Sequence, residues 1–404
     1  MADNNENKVL NVPPLRFPEF SGEWEKCKFG DIATGFDYGM NAAAKPFDGE
    51  NKYIRITDID EASSTYNDTD IVSPDGSLTD NYVVNDRDIL LARTGASTGK
   101  SYLYRKSDGK LYYAGFLIRA NVTEHNPYFV FSQLHTHRYW RWVSIMSARS
   151  GQPGINSQEY SSFPIFTTSL HEENKIASLL SRLDERIATQ NKIIEKYESL
   201  IQAIIYQKKT VGIRKGNWQK TELSDVLQER IEKNINGHII CSVSVSKGVV
   251  NQIEYLGRSF AAKETLHYNV VKCGDIVYTK SPTGDFPYGI VKRSYIKDDV
   301  AVSPLYGVYM PVNDYIGVIL HFYFMQPSNA FNYLHPLIQK GAKNTINITN
   351  ERFLKNSIPL PKTENEAIYI ANTLISIQKK IDIEKKMLRS YEKEKQYLLS
   401  KMFI

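Results

Sequence analysis

The chain contains one phrase twice: GEWEKCKFGDI at Gly22–Ile32 and GNWQKTELSDV at Gly216–Val226, with Gly, Trp, Lys and Asp in register 194 residues apart. A repeat of roughly 20 to 50 residues would mark a solenoid, whereas one this long is the size of a domain plus its connection. Two such units account for nearly all of the 404 residues. Each is large enough to bury its own core without disulfide or metal staples.

Outward from the phrase, each half reads as a run of short strands followed by one long helix. ENKYIRITDI, NYVVNDRDILLAR and KLYYAGFLIRANV carry the β-branched and aromatic residues of strands in the first half; GHIICSVSVS, YNVVKCGDIVYTK and SPLYGVYMPV do so in the second. VVNDRDILLARTG matches VVKCGDIVYTKSP at an offset of 187, and SSFPIF matches the end of KNSIPLP at 195, so insertions lie in the loops between strands.

Steps of four and three from Ile176 trace a heptad seam: Ile176, Leu180, Leu183, Ile187, Gln190, Ile194, Tyr197, Ile201 and Ile204. The same positions shifted by 194 are Ile370, Leu374, Ile377, Ile381, Glu384, Leu388, Tyr391, Lys395 and Leu398, with the polar break again at the fifth place. A lone seam exposed to water gains nothing from its apolar residues, so the two helices are expected to pack on each other. The order of unit, helix, unit, helix makes that pair antiparallel with approximate twofold symmetry. The expected architecture is α+β: a first strand-rich unit at 1–165, its helix at 166–210, a second unit at 211–361 and its helix at 362–404. The paired part spans about 42 Å; one turn of B-DNA is about 34 to 36 Å, so such a rod permits two readers on one face of a duplex.

Composition narrows the class. Three widely spaced cysteines, Cys27, Cys241 and Cys273, fit reduced thiols in a cytoplasmic protein. The start MADNNENKVL lacks a signal-peptide pattern, and the longest apolar stretch, YIGVILHFYFM, is about half of the roughly 20 residues a bilayer needs. A net charge of +5 permits a polyanionic partner without requiring one.

Catalytic sets are not legible. GASTGKS, Gly95–Ser101, has three residues between its glycines where a phosphate-cradling P-loop has four, and KSPTGDF in the second half has no Lys-Ser. Asp75, Asp108 and Lys110 lie in polar, turn-like segments unlike a nuclease centre. No methyltransferase tetrapeptide, no metal spacing around His135 and His137 and no nucleophile elbow is present.

With two strand-rich units, two seam helices and no catalytic set, the sequence resembles the DNA specificity subunits of type I restriction-modification enzymes. The likeness runs in order through VPPLRFPEFSGEW, VVNDRDILLARTGASTGK, FPIFTTSLHEENKIASLLSRLDERI, VSVSKGVV, YNVVKCGDIVYTK, VSPLYGVYMP and IPLPKTENEAIYIANTLISIQKKI. It implies two target recognition domains, each reading half of a split asymmetric site in double-stranded DNA. It also implies helices that set the spacer and dock two methyltransferase subunits. S-adenosylmethionine, ATP and Mg2+ would then belong to partner subunits, including the motor-nuclease (restriction) subunits, with no cofactor in this chain. NEAIYIAN replaces a run like EENKIAS at the start of the second helix, a departure from the repeated pattern. Two other classes compete on the residues alone: a self-sufficient metal-dependent nuclease, and a coiled-coil adaptor that recruits proteins without reading DNA.

The expected DNA-binding residues are in loops that leave the strands. Arg93, Thr94, Thr98 and Lys100 belong to one loop, with Lys280, Ser281 and Thr283 in its counterpart. Arg149, Gln152 and Asn156, then Lys340, Lys343 and Asn344, form a second pair, because Arg or Lys suits guanine and Gln or Asn suits adenine.

Overall fold

The computed structural model describes residues 10–148, 152–258, 261, 264–340 and 346–404. The chain divides into two units: unit 1 is Met1–Asn191 with Met387–Ile404, and unit 2 is Lys192–Lys386.

The repeated phrase is a clamp. Glu25–Lys28 pairs antiparallel with Pro164–Thr167, and Trp218–Glu222 pairs in the same way with Ser357–Pro361. Each closes its unit just ahead of a long helix. Trp24 and Trp218 are both buried, and the Trp218 indole Nε1 donates to Glu366 Oε1 at 3.0 Å, in the first turn of the second long helix. Glu172 holds the equivalent place in the first, where Arg16 Nε (2.7 Å) and Thr168 Oγ1 (2.6 Å) donate to its carboxylate. Burial alone would raise the Glu172 carboxyl, but these hydrogen bonds outweigh it and hold it below the ordinary value.

The main sheets share one topology. In unit 1 the order is Ala33–Tyr38, Leu117–Val122, Asp88–Ala92, Ser101–Leu103; in unit 2 it is Leu227–Glu229, Gly307–Pro311, Ile276–Tyr278, Val291–Arg293. All neighbours are antiparallel. Even a local turn recurs: Asp88 accepts from the Asn85 N–H at 2.7 Å and Asp275 from the Lys272 N–H at 2.8 Å. The flanking two-stranded pieces differ between units, as loop insertions should.

The strand-only reading of each half missed helices at Pro127–Gln133 and His137–Met146 in unit 1, and at Asp314–Phe324 and Pro327–Leu334 in unit 2. Asn126 and Asn313 cap the first of each pair, each side chain accepting a backbone N–H at 2.9 Å. Asp314–Phe324 is buried from Ile316 to Phe324, so its apolar run shows no helical period.

The long helices are Leu170–Lys215 and Glu364–Lys401. In unit 1 Ile176, Ala177 and Leu180 share a core with Leu399, Met402 and Phe403, and Asp184 pairs with Lys395 at 2.6 Å. In unit 2 Glu198 pairs with Lys385 at 2.7 Å and Lys208 sits over the Tyr369 ring. Early residues of one helix meet late residues of the other in both units, so the pairing is antiparallel. The fold is α+β with an internal repeat.

On the seam, Leu183, Gln190, Ile194, Ile201, Ile377 and Ile381 are buried, while Ile187, Tyr197, Glu384, Leu388 and Tyr391 are half-buried. At the first helix's end Ile205 is buried and Ile204 only half so, because 3.6 residues per turn drift from a 3.5 repeat. Gln190 and Tyr391 line an open groove of about 480 Å³ in unit 1 with Arg182, Glu185, Arg186 and Thr189.

One buried base makes unit 2 sensitive to acid. His321 Nδ1 accepts the Arg293 N–H at 3.1 Å, and burial, then the charges of Lys292 and Arg293, push the ring down to about 3. Below about pH 6.5 the unfolded chain takes up a proton that the folded ring refuses, so stability falls as pH drops from about 6.5 toward 3, at most about 1.4 kcal/mol per pH unit. Denaturant unfolding at pH 7.5 and pH 5 is expected to show that loss, and His321→Gln to flatten it; an unchanged slope in the variant would show that other groups carry it.

Candidate nucleic-acid interface

In unit 1 the loops singled out in the sequence converge. The loop after Asp88–Ala92 is closed at its base by Ala92 N–H to Lys100 O (2.8 Å) and Gly99 N–H to Ala92 O (3.0 Å). Two buried tyrosines hold it: Tyr160 Oη donates to Ala92 O at 2.6 Å and accepts from the Gly99 N–H at 3.1 Å, and Tyr139 Oη donates to Gly99 O at 2.8 Å. Gly99 has φ +93°, and a Cβ there would lie 2.7 Å from Val143 Cγ1, so no other residue fits.

The 152–156 loop is stitched to it. Gly95 N–H donates to Pro153 O at 3.0 Å, Ile155 N–H donates to Arg93 O at 2.9 Å, and Thr94 bridges Gly154. Gln152 is exposed beside Gly95. Two expected readers are otherwise engaged. Thr98 is buried, its hydroxyl donating to Gly95 O at 2.8 Å. Asn156 caps Ser157–Ser161, its side-chain oxygen accepting the Glu159 N–H at 2.9 Å. Lys100 is half-buried, 3.8 Å from the exposed Glu61, a pair of little energetic weight. Arg149 lies outside the described residues.

Sequence reasoning missed the rings around Arg93. Its guanidinium lies 4.7 Å from the Tyr38 ring centroid and 6.0 Å from that of Phe116. Both rings are large and open to solvent, Tyr38 at 43% and Phe116 at 55%. Arg93 Nε is buried with no hydrogen-bond partner among the described residues. Only strand register brings residues 38, 93 and 116 together, so no local motif announces them.

Unit 2 repeats the frame with different side chains. By register, Arg93 corresponds to Lys280, Gly99 to Gly289, Tyr38 to Ile231 and Phe116 to Leu305. Ile231 and Leu305 are the more exposed pair, at 78% and 72%. Gly289 has φ +98°, and its Cβ would be 2.8 Å from Lys280 N. The half-buried Lys280 has φ +60°, and burial lowers its ammonium pKa. Ser281 and Thr283 are exposed, in a longer loop whose Thr283 bridges Phe286. Phe353 takes the place of Tyr160 and stacks 4.7 Å from Tyr278 and 4.8 Å from Tyr309. Lys340 lies in the short strand Gln339–Lys340, paired with Ile346–Asn347; Lys343 and Asn344 fall outside the described residues. Thr349 answers to Asn156, since each caps the short helix that follows.

Among the described residues no cluster of His, Cys, Asp and Glu is arranged to hold a metal, and no helix is long and apolar enough to cross a membrane. What both units offer is a rigid strand end that presents cationic, hydroxyl-bearing and large exposed side chains. Such surfaces suit phosphate and base-edge contacts.

Comparison with known proteins agrees. Residues 21–199 match the family model of the type I restriction modification DNA specificity domain. The type I restriction enzyme MjaVIII specificity subunit of Methanocaldococcus jannaschii is 22% identical over 98% of this chain and 95% of its own length. In fold, the chain is similar to the type I restriction-modification S subunit from M. genitalium, with TM-score 0.60 and 14% identity over 97% of this chain and 99% of that one. It is also similar to a chain from a structure of complex assembly and conformational transition in the type I R-M system, with TM-score 0.50 and 12% identity over 96% and 99%. Residues 21–199 thus match the type I restriction modification DNA specificity domain, and over nearly its whole length the chain is similar in sequence to a type I specificity subunit and in fold to a type I S subunit.

Proposed function

We propose that the chain is the non-catalytic, DNA-reading subunit of a cytoplasmic type I complex. Each unit reads one half of a bipartite, asymmetric site in double-stranded DNA. The paired helices set the gap and dock two methyltransferase subunits, through which restriction subunits join. Adenine methylation and cleavage are then partner reactions, with S-adenosylmethionine, ATP and Mg2+ bound outside this chain.

The observation that supports this most is the pair of topologically identical strand ends carrying different side chains: Arg93 between aromatic rings in one, Lys280 with Ile231 and Leu305 at the matching positions in the other. Identical frames with unlike tips are what two readers of unlike half-sites require.

Mapping methylated adenines in DNA from a host carrying this chain and its methyltransferase is expected to give two short, unlike half-sites at one fixed gap. A chain that cuts DNA with Mg2+ and no partner would instead be a nuclease. Failure to bind duplex in a salt-sensitive way, even with the methyltransferase present, would leave an adaptor.

A further inference from the structure

The Arg93 side chain is built to present something. An exposed arginine on a loop samples many rotamers, and fixing one costs entropy on binding. Here the guanidinium is laid against Tyr38 and close to Phe116, while its backbone is tied by Arg93 N–H to Phe116 O at 3.0 Å and Ile155 N–H to Arg93 O at 2.9 Å. Tyr38 is held in turn, its Oη accepting the Ser157 N–H at 3.2 Å. A surface arginine with a structural task has a carboxylate or carbonyl to hold; the Arg93 side chain donates no hydrogen bond and joins no ion pair among the described residues, and its Nε is already removed from water. The fork is oriented and unsatisfied.

We propose, resting on the DNA-reading function above, that Arg93 is the guanine-reading side chain of the half-site met by unit 1, with Tyr38 and Phe116 as the rings that aim it. The planar fork matches guanine O6 and N7, two acceptors that sit side by side only on that base in the major groove. Ring stacking leaves the in-plane N–H groups free to donate. Lys280, at the matching position of unit 2, has a single ammonium and no aromatic rings at the sites of Tyr38 and Phe116, so it cannot reproduce this contact.

The test uses the complex with its methyltransferase subunits and duplexes with every base of the first half-site varied in turn. Arg93→Ala and Arg93→Lys are each expected to relax the preference at one guanine, with a loss of about 5- to 150-fold on the cognate duplex. 7-Deazaguanine at that position should weaken the unsubstituted complex and leave the Arg93→Ala complex unaffected. Equal weakening on all sequences, with a shallower salt dependence, would make Arg93 a phosphate clamp and overturn the assignment. Unchanged preference at every position would overturn it too, and so would restoration by Lys, since a single ammonium would then suffice. A parent complex with no sequence preference at all would overturn the DNA-reading function itself, and this role with it. Circular dichroism of each variant separates these outcomes from misfolding.

Discussion

Replacing Phe403 with alanine is expected to lower the unfolding free energy of unit 1 by about 3–5 kcal/mol, the cost of deleting a buried aromatic ring and leaving its cavity. Phe403 ends the second long helix's contribution to the unit 1 core. It is 5% exposed, with its ring 5.4 Å from Phe129 and 6.1 Å from Trp24, beside the buried Met402 and Leu399. The repeated phrase therefore does two jobs there: its strand clamps the unit and its tryptophan receives the returning helix. Unit 2 solves the same position with different chemistry. Lys209, 194 residues earlier, lies 5.5 Å from the Tyr323 ring and donates to Asn329 Oδ1 at 3.1 Å, and burial lowers its ammonium pKa. Lys209→Ala should cost less, about 1–2 kcal/mol, since a snorkelling cation gives up less apolar burial. Denaturant titration followed by tryptophan fluorescence reads both. A Phe403→Ala loss below about 1 kcal/mol would mean that the terminal turn is not part of the cooperative core.

Much of this architecture is visible in the sequence because it is periodic or duplicated. The Trp-containing phrase marks the repeat, which the structure shows to be a paired strand in each unit, and the 176–204 and 370–398 seams mark helices whose apolar residues need a partner. What escapes has a physical reason in each case. Asp314–Phe324 is buried almost all round, so neither a period of 2 nor of 3.6 survives in it. Asn126 and Asn313 were signals that could have been read, each standing at the start of such a run. Among the loop residues, Gln152 does come beside the loop that carries Arg93, whereas Thr98 and Asn156 are used to hold the loop and cap a helix. Hydroxyl and amide side chains serve local backbone as readily as a ligand, and sequence type alone cannot separate the two uses. The aromatic rings beside Arg93 depend on strand register across 78 residues, which no local pattern encodes.

Lengthening both long helices by one heptad, after Asn191 in the first and after Lys386 in the second, is expected to move the preferred gap between half-sites by about three base pairs and to cut binding at the original gap toward that of one half-site alone. Both insertions fall at the limits of the two units, so each core keeps its own residues. Both are needed because the helices pair antiparallel: extending one would put its seam out of step and confound spacing with stability. Seven residues add about 10 Å along the axis and turn the seam by only about 20°. Three base pairs also span about 10 Å, but they turn the duplex by about 100°. Translation is thus matched and rotation is not, so the new optimum should bind more weakly than the original unless the duplex twists to meet it. Selection from a library with a randomised gap, using the complex with its methyltransferase subunits, reads both quantities at once. A preferred gap that stays where it was would show that something other than these helices sets the spacing. A longer gap bound as tightly as the first would show that the joints between heads and helices absorb the rotation, leaving the helices to measure length alone.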